Sequence, residues 1–156
     1  MKLKIPFRKK RALVSVVRLS GVISSGSRGQ LNDQSLAPVF EKAFSKGKPD
    51  AVALVVNSPG GSPVQSSLIG ARIRSLASEK KTPVYAFVED VAASGGYWLA
   101  AAADEIYVDH SSIVGSIGVI SAGFGAHEFI SRYGIERRVY TAGKSKSTLD
   151  LSLIHI

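Results

Sequence analysis

A buried strand that turns abruptly into an alanine-rich helix constrains this chain more than any other feature. Pro83 to Val88 is an apolar run of strand length. Asp90 to Ala103 follows and reads Asp-Val-Ala-Ala-Ser-Gly-Gly-Tyr-Trp-Leu-Ala-Ala-Ala-Ala. Its second half has high helix propensity. Ser94 therefore sits at a corner between strand and helix. Gly95 and Gly96 let the backbone turn there and leave no side chain over the serine. The first helical amides point at whatever approaches Ser94, and the helix dipole favours negative charge. Such a corner suits a nucleophile whose attack creates an oxyanion. It equally suits an ordinary serine N-cap. The stretch alone leaves both readings open.

The remaining chain supplies the layers around that corner. Ala12 to Leu19 reads as a first strand, and Ser24 to Gln30 as a Ser/Gly-rich loop. Asp33 reads as an N-cap, with Pro38 near the first turn. Leu36, Val39, Phe40, Ala43 and Phe44 then mark an amphipathic helix closed by Gly47 to Pro49. Asp50 to Val56 is a continuous apolar run, expected to be buried on both faces. The tight loop from Asn57 to Pro63 ends in a Ser62 N-cap with proline at the first helical position. Leu68, Ile69, Ile73 and Leu76 form the inner stripe of a second helix.

Beyond the Ser94 helix, Glu105 to Val108 reads as a short strand and Ser111 to Ser121 as a bent one. His127 to Tyr133 reads as a helix closed by Gly134, and Arg137 to Thr141 as a last strand. Strands alternating with helices imply an α/β fold with a mostly parallel sheet. Sites in such sheets form beyond the carboxyl ends of the strands. The Gly60-Gly61 and Ser94-Gly95 turns both lie at that edge.

Composition excludes several classes. A 156-residue chain with 45% hydrophobic residues can bury a real core. Without cysteine there is no disulfide framework and no thiolate metal site, and a reducing compartment fits. The formal net charge of +8 is uneven, because Lys2, Lys4, Arg8, Lys9, Lys10 and Arg11 crowd the start. The rest is nearly balanced, so a basic face for nucleic acid is not expected. Ala12 to Val17 is too short for a signal-peptide core, and no stretch has the length of a membrane span. Residues 2-11 read as a solvated terminus, with peripheral contact to an anionic membrane as the alternative.

A serine nucleophile needs a base. His110, His127 and His155 have no carboxylate partner that sequence can assign. Lys144 and Lys146 lie just after the last expected strand, at the same sheet edge as Ser94. Being two apart, they face the same way if extended. A lysine base must be neutral, so its pKa must fall from about 10.4 towards 7 to 8, at a cost of roughly 3 to 5 kcal/mol. Pattern alone does not choose between the two lysines, and both also read as solvated loop residues.

Four motifs in order bear on that choice: Val55-Val-Asn-Ser-Pro-Gly-Gly-Ser, Val91-Ala-Ala-Ser-Gly-Gly-Tyr-Trp-Leu-Ala, Ile113-Val-Gly-Ser-Ile-Gly-Val and Ala142-Gly-Lys-Ser-Lys-Ser. Together, over about Val14 to Asp150, they resemble the signal peptide peptidase A family (SppA and SohB-type serine-lysine peptidases) of the Clp-protease/crotonase superfamily. The resemblance implies repeated ββα-type units with flanking helices. It implies Ser94 as nucleophile, Lys146 as general base, the Gly61 and Gly95 amides as oxyanion hole, and Ser116 as a residue that helps hold the lysine. No cofactor or metal is implied. Peptide substrates are implied, signal-peptide remnants or other apolar peptides, acted on by a homo-oligomer.

Two departures shape the expectations. Many family members begin with a membrane anchor, and none is visible here, so a cytoplasmic form is expected. After Asp150 the family pattern stops, and residues 151-156 read as an atypical tail on a domain (12-150) truncated at its C-terminal end. Missing helices would leave Lys146 exposed and idle. Rival readings are a Clp-type Ser-His-Asp peptidase, a crotonase-like acyl-CoA enzyme and a non-catalytic assembly subunit. The first would place a histidine near Val119, and Gly115 to Ala122 contains none.

Overall fold

The computed structural model describes residues 11–26, 30–118, 120, 124–138, 140 and 142. Two compact units divide the chain between Gly118 and Val119. The first contains β1 (Val14–Ser20), α1 (Asp33–Ser45), β2 (Ala51–Ser58), α2 (Pro63–Lys80), β3 (Val84–Ala93), α3 (Gly95–Ala100), β4 (Glu105–Val108) and β5 (Ile113–Gly115). The second contains α4 (His127–Arg132), after which Gly134 takes a positive φ of 66°.

The sheet of the first unit is parallel throughout, in the order β1-β2-β3-β4, with β5 also paired to β3. Val56 pairs with Val88, but Ser58 pairs with Ala92, so β3 carries extra residues between them. Such a bulge bends the strand. The bend lets β3 serve two partners in turn along one edge: β4 through Tyr85 to Val88, then β5 through Val91 to Ala93. The far end of β3 leads directly into the corner at Ser94.

The strand run Asp50 to Val56 exists as β2, but its second face is only partly buried: Ala53 is buried there, while Ala51 and Val55 are intermediate. Val52, Leu54 and Val56 are fully buried, in register with Val84, Ala86 and Val88. Leu36, Phe40 and Phe44 of α1, and Ile69, Ile73 and Leu76 of α2, share one core with them. On the other face Val55 is half-buried and Val16 is 65% exposed, while the Phe87 and Tyr107 rings stack with centroids 5.1 Å apart. Both long helices contribute to the same core, so the second face lacks their cover.

Local chemistry corrects several boundaries. The N-cap of α1 is Asn32, not Asp33: its Oδ1 accepts from the Ser35 amide at 2.8 Å. Asp33 instead forms a two-pronged pair with Arg72 of α2 at 2.7 and 2.8 Å. The guanidinium's hydrogen bonds hold its carboxyl below the usual carboxylate range. Pro38 falls in the second turn, where it has no N–H to offer the Gln34 carbonyl, and both residues are exposed. Leu68 is 46% exposed because it sits one residue, about 100° of rotation, from Ile69 on the true stripe. The Ser62 cap and Pro63 start of α2 form as expected.

The bent strand expected over Ser111 to Ser121 shortens to Ile113–Gly115 among the described residues. No strand forms at Arg137, Arg138 or Tyr140. These side chains are exposed. Among the described residues, no helix is long and apolar enough to cross a membrane.

Candidate active site

The backbone at the Ser94 corner is strained. Ser94 takes φ 52° and ψ −118°, far from the ordinary wells of a residue with a β-carbon. Its side chain makes no capping hydrogen bond to α3, so the N-cap alternative lacks its defining contact. Its backbone is tied down on both sides. The Ser94 amide donates to the Gly115 carbonyl at 2.8 Å, and its carbonyl accepts from the Trp98 amide at 3.1 Å. Gly115 closes β5, so the next residue, Ser116, is carried to the same strand end as Ser94. Ser116 is exposed and has a positive φ of 52°.

The second glycine turn packs on this corner. Gly60 has φ 94°, and a β-carbon there would lie 2.6 Å from the Ala93 carbonyl oxygen, 2.7 Å from the Gly95 nitrogen and 2.9 Å from the Ser94 β-carbon. Only a bare α-carbon permits that approach. The turn is also zipped to the segment after β1. The Ile23 amide donates to the Gly60 carbonyl at 2.9 Å, and the Ser62 amide donates to the Ile23 carbonyl at 2.8 Å. In a parallel pairing of this kind, the middle residue's own N–H points to the opposite side. Gly61 is that residue, paired with Ile23. Its amide therefore faces away from Ile23. Among the described residues, neither the Gly61 nor the Gly95 amide donates to a backbone or side-chain acceptor.

Ser94, Gly95, Gly61 and Ser116 are thus gathered at the carboxyl ends of β2, β3 and β5. Lys144, Lys146 and His155 lie outside the described residues, as do most of residues 2-11 and the 151-156 tail. His110 is 92% exposed, beside Asp109 at 3.1 Å and the Ser111 hydroxyl at 3.2 Å. His127 opens α4 in the second unit. Among the described residues, no histidine bonds to Ser94, and no group of three or more His, Asp or Glu could hold a metal ion.

Three supporting residues escaped the sequence reading. Ile23 clamps the Gly60-Gly61 turn, Ser58 bonds it from below, and fully buried Ser66 of α2 abuts Gly95. The available signal was positional: a serine inside each glycine turn or one helical turn beyond it. Elsewhere Asp104 braces the scaffold, accepting from the Val84 amide and from Arg74, each at 2.8 Å. The backbone hydrogen bond, then Arg74, holds its carboxyl below the ordinary carboxylate range.

Residues 76–154 match the family model described as peptidase family S49. The chain is 56% identical over 147 residues to the "Na(+)/H(+) antiporter NhaA" of Brucella melitensis, covering 92% of this chain and 20% of that protein. It is 34% identical over 134 residues to the "Serine protease SPPA, chloroplastic" of Arabidopsis thaliana, covering 86% of this chain and 19% of that protein. It therefore spans about a fifth of the length of these relatives. Among solved structures, a mutant of the "1510-N membrane-bound stomatin-specific protease" matches with a TM-score of 0.57 and 19% identity, over 81% of this chain and 60% of that one. At that identity the likeness concerns the fold, the Clp-protease-like α/β architecture expected from the sequence.

Proposed function

Because the chain belongs to peptidase family S49, we propose that it is a serine endopeptidase built on a Ser94/Lys146 dyad. Neutral Lys146 takes the Ser94 proton, and Ser94 Oγ attacks a peptide carbonyl. The oxyanion rests on the Gly61 and Gly95 amides. Lys146 then protonates the leaving amine, and water releases the acyl group from Ser94. Ser116 helps hold the lysine. The observation that supports this reading best is the Gly60-Gly61 turn seated on the Ser94 corner, with the Gly61 and Gly95 amides lacking an acceptor among the described residues.

Substrates are apolar peptides, with signal-peptide remnants as the leading class. Exposed Val16, Phe87, Tyr107 and Ile113 support assembly of several copies. The cysteine-free composition and the basic residues 2-11 support a cytoplasmic setting with peripheral contact at an anionic membrane face. Mass spectrometry after treatment with a fluorophosphonate tests the reading. The expected result is one adduct on Ser94, lost in Lys146→Ala and kept in Lys144→Ala. No adduct in the full-length protein, or equal labelling of all three proteins, removes the dyad.

A further inference from the structure

Ser58 is the last residue of β2 and is fully buried. Buried hydroxyls are costly unless bonded, and this one uses both capacities. Its Oγ donates to the Gly21 carbonyl at 2.7 Å and accepts from the Gly60 amide at 3.2 Å. Gly21 in turn donates its amide to the Asn57 carbonyl at 3.0 Å. The hydroxyl therefore joins the end of β1 to the first peptide of the glycine turn. Ser58 also meets the helix on the other side of the corner: a β-carbon on Gly96 would collide with the Ser58 carbonyl oxygen. One small side chain thus stands where β1, the Gly60 turn and the start of α3 converge.

We propose that Ser58 is a positioning residue for the oxyanion turn: its buried hydroxyl fixes the Pro59–Gly60 peptide, the plane that leads into the one carrying the Gly61 amide. This rests on the reading of Gly61 and Ser94 given under Proposed function. Two features argue for the hydroxyl rather than for packing alone. A glycine pair has the widest backbone freedom of any dipeptide, so its orientation must come from its partners. The Ile23 bonds hold the Gly60 carbonyl and the Ser62 amide. Only the Ser58 hydroxyl, among the described residues, holds the Gly60 amide. Without it the Pro59–Gly60 plane loses its amide tie, and the Gly60–Gly61 plane, anchored at its carbonyl by Ile23, keeps only one of the two ties that set the turn. An amide displaced by about an ångström loses on the order of a hundredfold in rate.

The test compares the full-length protein with Ser58→Ala and Thr82→Val. Thr82 is buried and, among the described residues, its hydroxyl bonds only the nearby Lys80 carbonyl at 3.3 Å, so its loss touches stability and not the corner. Expected for Ser58→Ala is a 10- to 100-fold fall in kcat with KM within about twofold, the signature of an interaction made in the transition state. Amide hydrogen exchange at Gly60 should quicken at least tenfold, with little change elsewhere in β2. Thr82→Val should keep kcat and Gly60 exchange. An unchanged kcat or an unchanged Gly60 exchange in Ser58→Ala overturns the proposal. If Ser58→Ala does not fold, Ser58→Cys replaces it, a somewhat larger side chain that fills the site with a much weaker donor and acceptor. Ser94→Ala separates the two levels. Full activity in that variant removes the nucleophile reading itself, while the Gly60 exchange still reports whether Ser58 holds the turn.

Discussion

Replacing Gly60 by alanine probes the meeting of the two glycine turns. Two costs can be worked out. The first is conformational: φ 94° lies where residues with a β-carbon are strained by about 1 to 3 kcal/mol. The second is steric. The new methyl would sit 2.6 Å from the Ala93 carbonyl oxygen, 2.7 Å from the Gly95 nitrogen and 2.9 Å from the Ser94 β-carbon. All three are on the corner itself, and two are backbone atoms with no rotamer to escape into. Overpacking of this kind costs about 1 to 3 kcal/mol. Gly118→Ala supplies the control, because Gly118 has φ 147° and open space around its α-carbon. Its loss should be the conformational cost alone, about 1 to 3 kcal/mol. Urea unfolding followed by the single tryptophan, Trp98 on α3, reads both variants in the unit that holds them. Gly60→Ala should lose about 1 to 3 kcal/mol more than Gly118→Ala. Fluorophosphonate labelling of its folded fraction should slow by roughly a hundredfold as Ser94 and the Gly95 amide are pushed apart from Gly61. Equal stability losses with undiminished labelling would refute the packing of one turn on the other.

Other consequences are simpler to check. Phe40 is fully buried in the core under α1, so Phe40→Ala should cost about 3 to 5 kcal/mol in the same unfolding assay. Asn32→Ala removes the α1 cap and should cost about 1 kcal/mol, while Asp33→Ala should loosen α1 from α2 by breaking the Arg72 pair instead. Asp33 and Asp104 both have carboxyls held below the usual range, so their folded forms favour the ionised state. The stability they contribute is fully present above pH about 4 and is lost as pH falls through their lowered values. The stability gap between the wild type and Asp104→Asn should therefore narrow below pH about 4; a constant gap would contradict the assignment.

Much of this fold could be read from residue order, because the deciding signals were local. The Val-rich runs, the Ser62-Pro63 start and the Ser94-Gly95-Gly96 corner each state their own geometry. The errors came where the outcome depended on distant partners. Asp33 has the chemistry of a cap, but Arg72, far along the chain, competes for it. Val55 is as apolar as Val56, yet only one sheet face faces the two long helices. Arg137, Arg138 and Tyr140 read as part of a strand, yet none of them is in one. At the site, Ser94 and the two glycine turns were legible because glycine spacing reports backbone shape directly. Ser58, Ser66 and Ile23 were not, since ordinary residues reveal a supporting role only once the strands are in register.

The central claim is that an uncharged lysine amine meets a strained serine hydroxyl beside two unengaged amides. The most direct measurement is the Ser94 Oγ to Lys146 Nζ separation in a crystal structure of the full-length assembly. The account predicts hydrogen-bond reach, about 2.6 to 3.2 Å. A Lys146 side chain directed into solvent, with no lysine from a neighbouring copy in its place, would contradict it.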